Sequence, residues 1–192
     1  MKTVLKIFIF FILLVPQYVF AHSGHGLTNN FNSGFFHPLS GVDHVLAMIA
    51  VGMLAVRNSK KPIWIFPLLF VGVMAIASAA STMTGHLGLN DLVIATSVFI
   101  LGLMLIKKEI PSFKIQALLV AGFAYFHGYA HGVEIPTSEN GLLYSLGFLF
   151  STGMLHLFGI YFSGFFKPAH KVFQACGAAI AVAGLLLIGQ LI

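Results

Sequence analysis

The stretch His127-Gly-Tyr-Ala-His131-Gly-Val-Glu134 carries the chain's clearest chemistry. On an α-helix, positions i, i+4 and i+7 fall within roughly 60° of one another, so two imidazoles and a carboxylate share one stripe. That is half of a divalent-metal site. A second group, His37-Pro-Leu-Ser-Gly-Val-Asp43-His44, opens another apolar run far away in sequence. His44 shares a face with His37 if both are helical. Asp43 lies about 100° round from His44, placed to bind an ion from the side or to accept a hydrogen bond from a ligating imidazole. The central expectation is that His37, Asp43, His44, His127, His131 and Glu134 meet and bind a metal ion that is crossing a membrane.

The donor types narrow the ion. Imidazole and carboxylate without thiolate suit Ni²⁺, Co²⁺ or Zn²⁺. They argue against a Cu(I) site of Cys and Met, and against Mg²⁺ or Ca²⁺, which prefer oxygen shells. Aspartate or a basic side chain in a membrane helix costs about 2.5–3.5 kcal/mol. Two such clusters, in a chain with only five acidic residues, therefore need a cause. The competing reading is a hydrogen-bonded network that packs helices. His22, His25 and His86 are weaker candidates for collecting ions at the mouth, against a flexible leader and an ordinary loop histidine. His156, deep in a later apolar run, reads as a relay ligand or proton acceptor, against a structural histidine.

These residues need helices to hold them. The chain is 58% hydrophobic and 8% charged, with mean hydropathy +0.97. A soluble domain is about 25% charged, so an all-α integral membrane protein is expected, its surroundings the lipid bilayer. The alternating segments of an outer-membrane barrel are missing from the sequence. The formal charge of +5 does not imply nucleic acid, because the Lys and Arg residues are scattered between apolar runs. Cys176 is the single cysteine and lies within an expected helix.

In order, residues 1–21 read as a cleavable signal peptide, with Lys2 and Lys6, an apolar core and the pattern Val19-Phe20-Ala21. Residues 22–38 form a His-containing leader, of which 26–36 read as a loop or interfacial segment. A six-helix transmembrane domain, 39–192, follows. Its helices are expected near 39–56, with Pro38 acceptable in the first turn, then 63–83, 92–106, 115–133, 142–166 and 172 to the end. Arg57, Lys60, Lys61, Lys107, Lys108, Lys114, Lys167 and Lys171 all fall in alternate connections, which the positive-inside rule places in the cytoplasm. Both termini then lie outside, and both clusters sit at the outer end. Ala124, Gly128 and Gly132 form a small-residue stripe about 100° from the histidines, as do Ala77, Ser81 and Gly85, and Gly177 with Ala181, on other helices. These are packing signals.

At these residues the chain resembles the HupE/UreJ family of small bacterial membrane proteins. The family's first helix carries His, five residues, then Asp-His, matched by His37, Asp43 and His44. Its fourth helix carries Phe-His-Gly-x-Ala-His-Gly-x-Glu, matched from Phe126 to Glu134. The signal, the His-rich start and the six helices extend the match over essentially the whole chain. The resemblance implies a nickel or cobalt permease of the bacterial inner (cytoplasmic) membrane, often linked to hydrogenase or urease, with Ni²⁺ or Co²⁺ as cargo and no resident cofactor. Two other readings share the same ligands. One is an intramembrane zinc-dependent hydrolase, in which Glu134 or Asp43 activates a metal-bound water. The other is a sensor or storage protein that binds the ion without conducting it.

Overall fold

The apolar runs fold as helices because their backbone groups, deprived of water, must pair within the segment. The computed structural model describes residues 30–192 except 59, 85–89, 136–139 and 166–169. Residues 1–21, expected to be a signal peptide, and His22, His25 and His86 lie outside the described residues. Among the described residues there are seven α-helices and no strand: α1 (Asn30–Ser40), α2 (Val42–Arg57), α3 (Ile65–Thr84), α4 (Asn90–Ile106), α5 (Phe113–Val133), α6 (Gly141–Phe165) and α7 (His170–Gly189). From α3 onward the boundaries fall within a few residues of those expected.

The start of the domain differs from expectation. Residues 30–40, expected to be a loop or interfacial segment up to 36 and a helix only from 39, are a helix of their own. Phe31, Phe35 and Phe150 cluster where α1 lies on α6, with ring centroids 6.2–6.5 Å apart. Two glycines let the helices touch: a Cβ on Gly34 would meet the backbone of Tyr144, and one on Gly147 the backbone of Phe31. Pro38 sits inside α1 rather than opening the next helix. The chain then bends by 81° between α1 and α2. Gly41 makes the corner in extended conformation (φ −94°, ψ 118°), and its carbonyl accepts the first α2 bond, from Val45 N–H, at 3.0 Å.

α2 is the central element, buried from Leu46 to Ala55. α3 packs on α5, α4 on α7, and α6 on both α1 and α2. The small-residue stripe sets the α3–α5 distance. A Cβ on Gly128 would meet the Met74 backbone, and one on Gly132 the Ser78 backbone. Gly177 and Ala181 likewise lie against Gly102 of α4. Outward faces are apolar: Leu68, Ile76, Leu118, Leu142 and Phe165 are each about 70% exposed, the pattern of a surface solvated by lipid rather than water. α6 and α7 are long and apolar enough to span a membrane, and α1 with α2 qualifies as a bent third span. This is a helical membrane protein.

The two ends of the bundle differ chemically. At one end Arg57 donates to the carbonyls of Met104 and Leu105, both at 2.7 Å, and to those of Lys107 and Lys108. These are the carbonyls left over where α4 stops. Asn58 and Gln116 exchange side-chain bonds at 2.8 and 3.3 Å, and Lys61 Nζ lies 5.5 Å from the Phe113 ring. The basic residues thus gather where α2 and α4 end and α5 begins. Arg57→Ala is expected to destabilise the bundle by about 2–3 kcal/mol, the scale of charged hydrogen bonds lost to acceptors with no replacement, measured by unfolding in detergent. A Lys at the same site should recover less than half, lacking the forked donor.

Candidate metal centre

The histidines converge at the opposite end. Five of the six principal candidates meet there, on α1, α2 and α5. His37, near the end of α1, brings Nε2 to 3.0 Å from His131 Nδ1 and 3.2 Å from Glu134 Oε2. His131 Nδ1 is 2.8 Å from the same carboxylate oxygen. One level deeper, His44 and His127 join His131, with one nitrogen from each ring within 4.8 Å of the others. Burial increases along this line. The Glu134 side chain is 47% exposed and His37 30%, His131 14%, and His44 and His127 are fully buried.

Glu134 is the residue just past α5. Its partial burial acts to raise its pKa, but hydrogen bonds with His131 and His37 outweigh that and hold the carboxyl well below the usual carboxylate range. It is an anion at neutral pH, fit to face a cation.

Asp43 joins neither triad. It stands in the first turn of α2, where its Oδ1 accepts the His44 backbone N–H at 2.8 Å. A carboxylate there complements the positive end of the helix. Asp43 thus lies beside His44 on the chain, bonded to that residue's backbone rather than to an imidazole. His156 is buried on α6, apart from both triads. The Phe70 ring lies between it and His127, with centroids 5.4 and 5.6 Å away.

Several residues at the site were not singled out from sequence. Phe148 walls the cluster, its ring 5.1–5.9 Å from those of His37, His44 and His131. Thr152 Oγ1 is 3.2 Å from His44 Nε2. Both stand on one stripe of α6 with His156, at four-residue steps, and that spacing was the available signal. Ser97 of α4 is buried and hydrogen-bonds His127 Nε2 at 3.1 Å. Its own proton goes to the Ile94 carbonyl at 2.7 Å, so the hydroxyl must accept from His127 Nε2–H. That fixes the tautomer with the lone pair on Nδ1. His127 Nδ1, His44 Nδ1 and His131 Nε2 are buried without hydrogen-bond partners among the described residues. Buried polar atoms seldom stay unpaired, and three nitrogens left so, one per ring, suit a cation. Ser97→Ala is expected to weaken metal binding by about 10–100-fold, the range for loss of an outer-shell partner, with Ser97→Thr near wild type in the same titration.

A cavity of about 340 Å³ reaches His131 between α3, α5 and α6, lined chiefly by apolar groups such as Met74, Tyr144 and Phe148.

With this geometry in place, the comparisons with known proteins are decisive. The sequence matches the family model described as HupE / UreJ protein over residues 10–187. The chain belongs to the HupE/UreJ family. It is 37% identical over 179 residues to Protein HupE of Rhizobium leguminosarum bv. viciae, covering 92% of this chain and 93% of that one. No solved structure matches it. The resemblance expected from the two motifs is thereby shown. Those motifs are the segments that bring His37 and His44 of this HupE/UreJ chain onto His127, His131 and Glu134.

Proposed function

We propose that the protein is a permease that carries a divalent transition-metal ion, Ni²⁺ or Co²⁺, from periplasm to cytoplasm across the bacterial inner membrane. The single observation that carries this reading is the set of three buried, unpartnered imidazole nitrogens beneath a part-exposed His–His–Glu triad. A structural network would pair those nitrogens. An ion path leaves them open. The three outer donor atoms, 2.8–3.2 Å apart, also suit one face of an octahedron, whose edges are about 3.0 Å for metal bonds of about 2.1 Å.

In this reading α1 and α2 form one broken span, and α3 to α7 form five more. The broken helix at the ligand site is a familiar transporter device. The clusters face the periplasm and the Arg57 end faces the cytoplasm. A signal peptide is removed before His22, and His22, His25 and His86 feed the outer triad. The ion passes inward toward His156. Asp43 positions His44, and the ion gradient, the membrane potential or a partner drives the movement.

The test is flux. Protein in liposomes with an internal indicator should admit Ni²⁺ or Co²⁺, and the response to an imposed potential reports the coupling. Saturable binding with no flux would overturn the permease and favour a sensor. A tightly retained zinc with hydrolytic turnover would favour the hydrolase.

A further inference from the structure

A single cluster would present its donors to a single point, but these donors divide into two triads. His131 belongs to both. Its Nδ1 faces His37 and Glu134. Its Nε2, on the other side of the ring, is buried and has no hydrogen-bond partner among the described residues, as have Nδ1 of His44 and Nδ1 of His127. A neutral imidazole has one lone pair, on one nitrogen at a time.

We propose that the ion occupies two successive, mutually exclusive positions that share His131. The outer one is held by His37, His131 Nδ1 and Glu134, and the inner one by His44, His127 and His131 Nε2. The inference rests on the reading that the ion is cargo. His131 hands the ion inward by changing which nitrogen it lends. With the ion outside, the ring hydrogen is on Nε2. With the ion inside, it is on Nδ1, where Glu134 accepts it. Water carries one proton away and returns one, so the ring stays neutral and the proton count is unchanged.

The two positions also differ in chemistry. The outer mixes two imidazoles with a carboxylate oxygen, whereas the inner offers nitrogen alone. Both positions disfavour Mg²⁺, and the second, without an oxygen, does so the more strongly. Ser97 and Thr152 serve that second position by holding the outer nitrogens of His127 and His44, at 3.1 and 3.2 Å.

The experiment uses the full chain in detergent with Co²⁺, whose absorption reports its ligands. Wild type should bind a single Co²⁺ per chain at saturation. Glu134→Gln should keep that stoichiometry with an X-ray absorption shell showing imidazole as the protein's ligands. His44→Gln should also keep it, but with a shell that includes carboxylate oxygen. Two Co²⁺ ions bound together to wild type, or one common shell in both variants, would overturn the proposal. The wild-type stoichiometry needs no variant to fold. Liposome flux is read separately. Two distinct shells without flux would overturn the cargo reading alone, and flux with one common shell would overturn the two positions alone.

Discussion

Replacing His131 with alanine should abolish metal binding and ion flux together while the bundle stays folded. His131 is the one side chain common to both triads, so its loss leaves pairs of donors at each level. Two imidazoles, or an imidazole and a carboxylate, hold a divalent ion far less firmly than three donors. Stability should survive because α5 grips α3 through Gly128 and Gly132, a different stripe from the histidines. The informative measurement is unfolding with and without Ni²⁺. At a concentration a hundredfold above Kd, wild type should gain about 2.7 kcal/mol from the bound ion. The variant should gain nothing and unfold close to metal-free wild type. Retained flux in His131→Ala would break the permease reading at its centre.

Gly128→Leu should do the reverse, costing the fold first and the site only in consequence. A Cβ at Gly128 runs into the Met74 backbone, and backbone cannot rotate away as a side chain can. The α3–α5 pair must separate, with a loss at or above about 3 kcal/mol, the upper part of the overpacking range. Gly122, on the same helix, is the control. It is exposed and nothing lies within 4 Å of its Cβ position, so Gly122→Leu should stay within about 0.5 kcal/mol of wild type or gain slightly from helix propensity. Unfolding by detergent titration would read both. Equal losses at the two glycines would show that helix contact is not what Gly128 provides.

Much of this was legible in sequence because membrane helices obey few rules. The spacing of His127, His131 and Glu134 put them on one stripe, the alternation of Lys and Arg put both motifs at one end, and those together brought His37 and His44 into range. Spacing within a helix says nothing about which atom meets which atom across helices. The division into two triads was therefore hidden, as were Ser97 and Thr152, ordinary residues until their partners are known. Asp43 suits a ligand or an imidazole's acceptor by type, but spacing could not tell that its carboxylate would accept the His44 backbone N–H. Pro38 misled most. It resembles a helix start, so the stretch before it reads as a loop or interfacial segment, although Phe31 and Phe35 together with Gly34 have the pattern of a face that packs.

The 81° corner at Gly41 has a mechanical consequence. His37 lies four residues from it, about 6 Å along α1. A rotation of about 10° there moves that point by about 1 Å, enough to stretch a 3.0 Å contact with His131 beyond hydrogen-bonding range. α1 cannot turn alone, because Gly34 and Gly147 clamp it to α6. α1 therefore turns about Gly41, moves with α6 and is held to α5 by the contact of His37 with His131. A tilt of the outer end of α6 would therefore move His37 and, through Phe148 and Thr152, bear on His44 as well.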